Sequence, residues 1–197
     1  MKKTLTFILT ILLGAGIAVT ASAQPKAIGG RIGGTGFDVS YEHFVKSADF
    51  VEVNAGVDFG YIGNGEAGFK ATAIYNFTFA RPAWTNKGEW AIYAGPGLSL
   101  GYVNDRARYK TDGIIIRPND YGFMLSLVAQ IGMEYTFWFP LQISIDLRPM
   151  FGMHINDGFK YTDKETGIKT ERYGSKVGYY DSGWLGFAPT ISFRYRF

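Results

Sequence analysis

The chain has 197 residues, no cysteine and a formal net charge of only +3. This length suits one domain, the lack of cysteine excludes a disulfide-held fold, and the weak charge argues against a nucleic-acid partner. Aromatic residues reach 17% and there are 26 glycines, a composition typical of a barrel with aromatic girdles and a crowded interior.

The N-terminus has the pattern of a secretory signal peptide. A short basic segment and an apolar stretch over residues 5–19 precede a small-residue motif that ends at Ala23. We expect cleavage between Ala23 and Gln24, so that residues 1–23 are removed and residues 24–197 form the mature domain. The alternative is an N-terminal membrane anchor, but the apolar stretch is shorter than the ~20 residues that a spanning helix needs.

Eight segments of the mature chain alternate between apolar and polar residues, which is typical of strands that face two different environments. The longer segments reach the ~9–11 residues that a tilted strand needs to cross a bilayer. The sequence therefore predicts an all-β fold, an eight-stranded antiparallel up-and-down transmembrane β-barrel with a side-chain-filled lumen. The segments are 26–33, 36–45, 50–61, 67–79, 90–103, 121–137, 141–155 and 183–197.

The lengths of the connections predict how the barrel is oriented. Only residues 138–140 separate the sixth and seventh segments, whereas residues 106–120 and 156–182 are long and polar. Because bacterial barrels have short periplasmic turns and long external loops, we expect both long segments outside the cell. Within them, Ile114–Ile116 indicates either a partner or pairing inside the loop, and residues 159–173 resemble a hairpin that turns near Gly167.

The same orientation gathers aromatic residues at the rim with the short turns, as expected of a girdle at a membrane interface. The alternative to a membrane barrel is a soluble β-sandwich or lipocalin-like barrel, in whose strands apolar and polar residues also alternate. In such a fold the apolar face points into the core and the polar face meets water. The predicted rim residues are Phe77, Phe79, Trp84, Trp90, Tyr135, Phe137, Trp138 and Phe139.

The last strand carries a more specific pattern. Ile191, Phe193, Tyr195 and Phe197 alternate up to a terminal aromatic residue. With the signal peptide and the loop asymmetry, this pattern resembles the small outer-membrane β-barrel family of the OmpA/OmpX type. The resemblance implies the outer membrane of a Gram-negative bacterium, contact with its lipid and lipopolysaccharide, and a C-terminal signal that the barrel-assembly machinery recognises.

The predicted inward faces carry six acidic and five basic residues. Isolated charges inside a narrow barrel would be costly, so we expect these side chains to pair with one another as a polar plug. The alternative is a narrow ion path. The residues are Arg31, Asp38, Glu42, Glu52, Asp58, Lys70, Glu134, Asp146, Arg148, Arg194 and Arg196.

His154 is the centre of the only cluster that looks catalytic. Asn156 stands where some lipid-modifying outer-membrane barrels have a serine nucleophile, so we expect no catalytic residue, and no metal or cofactor site. The sequence favours a non-enzymatic barrel with a structural or surface-binding role through loops 106–120 and 156–182. The alternatives are an enzyme that modifies lipid A or phospholipid, and an ion-conducting pore.

Overall fold

The computed structural model describes residues 25–45, 48–59, 67–106, 109–111, 114–116, 119–156, 160–162, 169–171, 176–181 and 187–197. The predicted cleavage site at Ala23 and Gln24 lies outside them. None of the described residues belongs to a helix that is long and apolar enough to cross a membrane. They form β1 (Lys26–Gly33), β2 (Gly36–Phe44), β3 (Asp49–Asp58), β4 (Gly68–Ala80), β5 (Glu89–Arg106), β6 (Tyr109–Thr111), β7 (Ile114–Ile116), β8 (Asn119–Thr136), β9 (Leu141–Leu147), β10 (Met150–Asn156), β11 (Lys160–Thr162), β12 (Lys169–Glu171), β13 (Lys176–Asp181) and β14 (Thr190–Arg196).

Ten of these segments form one closed antiparallel barrel. Each of β1 to β4 pairs with the next strand, β5 pairs with β8, and β8 pairs with both β9 and β10. The segments β13 and β14 pair with β10 and β9, and β14 returns to β1 with Ala27 opposite Arg196. Because β9 and β10 share one position in the wall, as do β13 and β14, the predicted eight-stranded up-and-down barrel is confirmed.

The eighth strand is built differently from the prediction. We expected one strand over residues 183–197 after a loop that ended at residue 182. Instead, β13 occupies the last part of that predicted loop, and residues 187–189 lie outside any strand. Apolar and polar residues therefore alternate through residues 187–189 although these residues are not part of a strand.

Register and proline explain this break. In the seventh strand, four residues separate Asp146 from Phe151, whereas in the eighth, eight residues separate their partners Thr190 and Asp181. Because these two intervals differ in length, the ladder cannot continue through them without a break. Pro149 and Pro189 lie within these two stretches. Neither has the backbone N–H that a continuous ladder requires.

The end of the barrel that contains the connections 81–88 and 137–140 is called the inner end here, and the opposite end is the outer end. At the outer end, β5 and β8 continue to the pair Arg106–Asn119, so the predicted loop 106–120 begins and ends as strand. Ile114–Ile116 pairs with β6 inside that loop, and β11 pairs with β12 as a second hairpin. The position of Gly167 lies outside the described residues.

The two faces of the wall have opposite character. In β14, Thr190, Ser192 and Arg194 are buried, whereas Ile191 and Phe193 are exposed. The same holds for β2 and β3, whose buried residues include acids and amides and whose exposed residues include valine and phenylalanine. The barrel is therefore mainly polar inside and apolar outside, the reverse of a soluble lipocalin-like barrel.

Candidate functional site

The predicted lumen charges are gathered inside the barrel. Arg196, near the inner end, is half-buried, and the other ten are buried. They come from strands on all sides of the wall, because alternation directs every second residue of each strand toward the axis. The buried ten are Arg31, Asp38, Glu42, Glu52, Asp58, Lys70, Glu134, Asp146, Arg148 and Arg194.

Arg194 makes polar contacts through all three nitrogens of its guanidinium. Its Nη1 lies 2.7 Å from Glu42 Oε1, and its Nη2 lies 2.9 Å from Glu52 Oε1. Its Nε donates a hydrogen bond to the Ser40 hydroxyl (2.9 Å), and Nη1 donates to the Ser144 hydroxyl (2.8 Å). One side chain of β14 thereby connects β2, β3 and β9 across the lumen.

Glu52 is shared between two arginines. Besides Arg194, it accepts a hydrogen bond from Arg148 Nη2 at 2.8 Å on Oε1. Its other oxygen accepts from the Gln130 amide at 3.0 Å, and that amide in turn accepts from Asn76 at 3.1 Å. Because the carboxylate has two cations and an amide donor, its burial is compensated.

A second group of ion pairs surrounds Arg31. Its guanidinium lies 2.9 Å from Asp38 and 3.2 Å from Asp146, and it donates to the Thr190 hydroxyl at 2.7 Å. Asp146 also lies 3.5 Å from Arg148 Nε. The two arginine groups are therefore joined through Asp146 and form one network.

Two features lie at the edges of this network. Lys70 pairs with Asp58, and its ammonium also donates to the Thr35 hydroxyl at 3.2 Å. At the inner end, the Gln142 amide nitrogen donates to Glu42 at 2.6 Å and to Glu134 at 2.8 Å. Gln142 was not among the predicted lumen residues, although it alternates with Ser144 and Asp146 on the polar face of its strand.

Apolar groups also fill the lumen, which the sequence analysis did not anticipate. Phe44, Phe50 and Tyr93 form a buried aromatic cluster, with Phe50 edge-on to Tyr93 at 5.1 Å. A larger buried cluster contains Ile74, Val103, Met124, Val128, Met150 and Tyr180. In the sequence, these clusters are indicated by apolar residues such as Ile74 at positions where the alternation predicts a polar side chain.

Glycines make room for these large side chains. A Cβ at Gly97 would lie 2.6 Å from the Ile74 side chain, and one at Gly122 would lie 2.5 Å from the His154 ring. Together with the ion pairs and the apolar clusters, this close packing agrees with the filled interior expected of an eight-stranded barrel.

His154 lies within the crowded interior. It is fully buried, and its Nε2 is 3.2 Å from the Val103 carbonyl oxygen. The nearby Ser126 hydroxyl donates to the Met124 sulfur at 3.2 Å. No group of three or more His, Cys, Asp or Glu side chains among the described residues is arranged to hold a metal ion.

The aromatic residues of the inner end form a continuous series on β5, β8 and the adjoining connections. Ring centroids are 5.4 Å apart for Trp84 and Trp90, 4.8 Å for Trp90 and Tyr135, and 4.6 Å for Tyr135 and Phe137. Phe137 continues to Phe139 at 4.9 Å. Trp138 completes the series next to Phe139, and Phe77 and Phe79 are exposed nearby on β4.

The C-terminal residues Ile191, Phe193, Tyr195 and Phe197 are all exposed on the outward face. The last two rings stack at 6.4 Å, and the Phe197 amide donates to the Lys26 carbonyl oxygen at 2.8 Å. The chain end is thus part of the closing pair of strands.

In comparisons with known proteins, no protein-family model, no curated protein and no solved structure matches this chain.

Proposed function

We propose that the chain is an integral outer-membrane β-barrel protein with a structural or surface-binding role, and that it is not an enzyme. The observation that carries this proposal is the reversal of the faces. Large apolar side chains such as Leu127, Phe193 and Leu98 point outward, and an ion-paired network occupies the inside. In water such a surface would be a severe aggregation liability, whereas in a bilayer it is the stable arrangement.

The resemblance to the OmpA/OmpX type supports the location. This resemblance rests on two features of the sequence, the signal peptide that ends at Ala23 and the alternating pattern that ends at Phe197. On this proposal the inner end faces the periplasm. The connections between Arg106 and Asn119 and between Asn156 and Lys176 then present the hairpins β6–β7 and β11–β12 outside the cell. A ligand of these loops is then the most direct route to a binding function.

Expression in a Gram-negative bacterium tests the location. We expect the mature protein in the outer-membrane fraction, with different gel mobilities before and after boiling, because folded barrels resist detergent until heated. Recovery of the folded protein in the soluble fraction, with one mobility, would overturn the proposal.

The filled lumen carries the further proposal that the barrel does not conduct ions. The network around Arg194 and Glu52, together with the Phe44, Phe50 and Tyr93 cluster, leaves the inner half occupied by side chains. In planar bilayers we expect no steady open state, and a steady open pore would favour the ion-path alternative.

The enzyme alternative rests on His154, and its burial argues against access to a lipid substrate. Lipid A mass spectra from cells with and without the gene distinguish a non-enzymatic barrel from a lipid-modifying enzyme. We expect identical spectra. A mass shift that the His154→Ala variant abolishes would replace the proposed function by a lipid-modifying one.

A further inference from the structure

The connection between β4 and β5, residues 81–88, folds back against the outside of the wall. The Tyr135 hydroxyl donates a hydrogen bond to the Lys87 carbonyl oxygen at 2.6 Å, and the Trp84 ring packs on Trp90. Gly88 permits this path, because its φ is 75° and a Cβ there would lie 2.5 Å from the Tyr135 hydroxyl. The connection thus places its side chains beside the apolar outer surface.

Arg81 and Lys87 are the charged residues of this connection. The Lys87 ammonium lies 5.5 Å from the centre of the Trp138 ring, which is a cation–π arrangement. Among the residues that the structure describes, Lys87 forms no ion pair, whereas Arg81 of the same connection lies 3.8 Å from Glu89. An exposed ammonium therefore lies over the exposed Trp138 ring, and the same connection also carries the exposed Trp84 ring.

We propose that Lys87, Trp84 and Trp138 form a binding site for the phosphate group of an anionic phospholipid at the inner end of the barrel. The inference rests on the proposed function, because it requires the barrel to span a membrane. The ammonium supplies the charge for the phosphate, and indole rings, with an apolar body and one N–H donor, suit the headgroup level. The exposed Phe77 and Phe79 rings extend the apolar surface for the acyl chains.

The opposite side of the inner end offers a natural comparison. There, Tyr41 stacks on His43, and Lys26 is half-buried while its backbone pairs with that of Phe197. No indole of the described residues stands beside Lys26 in a cation–π arrangement. Lys26 is therefore a matched lysine at the same end that lacks the site.

Quenching by brominated lipids tests the site, because Trp84, Trp90 and Trp138 all belong to or adjoin it. A Trp184→Phe background restricts the fluorescence to these three residues. The protein is refolded into phosphatidylcholine vesicles that contain equal mole fractions of either brominated phosphatidylglycerol or brominated phosphatidylcholine. The relative affinity for the anionic lipid follows from the ratio of the two quenching curves.

We expect the anionic lipid to be preferred about fivefold, the factor that corresponds to about 1 kcal/mol for one lysine near an anionic surface. Lys87→Gln should bring the ratio close to one, and Lys26→Gln should leave it unchanged. Efficient quenching by both lipids without a preference, or an equal loss in both variants, would overturn the site alone. Absence of quenching by either lipid, together with a single gel mobility, would overturn the membrane proposal and the site with it.

Discussion

Replacing Arg194 by methionine is the sharpest perturbation of the lumen network. Methionine retains much of the length of the side chain but none of its charge or donors. The substitution removes contacts to Glu42, Glu52, Ser40 and Ser144 at 2.7–2.9 Å. All of these partners are buried, so water does not replace the lost contacts freely.

The loss of unfolding free energy depends on which hydrogen-bond and ion-pair partners Glu42 and Glu52 retain in the variant. Removing one partner of a buried ion pair costs about 3–5 kcal/mol. Glu52 retains Arg148 at 2.8 Å and Gln130 at 3.0 Å, whereas among the described residues Glu42 retains Gln142 alone, at 2.6 Å. We therefore expect a loss near the lower limit, about 3 kcal/mol. Adding Glu42→Gln should recover about 1–2 kcal/mol, because the two sites are directly coupled.

Urea unfolding in lipid vesicles, followed by gel mobility without boiling, measures these free energies. Arg196→Met is the control, because Arg196 is half-buried and lies over the Phe44 ring at 5.4 Å. We expect it to cost only about 0.5–1 kcal/mol. Equal losses for both arginine variants, or no recovery with Glu42→Gln, would refute the assignment of the network to Arg194.

Two further predictions concern the wall and the chain end. Gly29→Ala should destabilise the barrel by about 1–3 kcal/mol, because the added Cβ would meet the Phe193 carbonyl and the Arg194 backbone. Gly30→Ala is the control, because its Cβ would meet the edge of the Phe37 ring at 3.3 Å. We expect it to be nearly neutral in the same unfolding assay. Phe197→Ala should lower the amount of folded protein in cells but not the refolding yield in vesicles, because we propose that this residue belongs to a C-terminal signal for barrel assembly. Phe187→Ala is the control for it, since both side chains are 60% exposed; equal cellular levels for the two variants would contradict that role.

Alternation was sufficient to predict the barrel because the outward faces of the strands are apolar and the inward faces are mainly polar. It assigned Arg31 and Asp146 to the same interior, although 115 residues separate them. It did not predict that they pair, because partners across the lumen depend on the register of every intervening strand and on closure between β1 and β14.

Two other features could not be predicted from the alternation of apolar and polar residues. The break in the eighth strand was missed because alternation continues through residues 187–189, which lie outside any strand. Only the unequal intervals between the pairs Asp146–Thr190 and Phe151–Asp181 reveal it. The apolar lumen cluster around Met124 was missed because alternation within one strand does not show which inward side chains of different strands pack together. Packing between strands, rather than the periodicity of any one of them, determines both.

The central claim is that the apolar outer face meets lipid, and Leu127→Arg tests it most directly. Leu127 is 66% exposed and pairs with Leu98 midway along the wall, whereas Phe79, at 63% exposure, lies near the inner end. In vesicles we expect Leu127→Arg to cost about 2–4 kcal/mol of unfolding free energy and Phe79→Arg about 0–1 kcal/mol. If the outer face met water instead, both substitutions would change stability by less than about 0.5 kcal/mol, and that result would contradict the account.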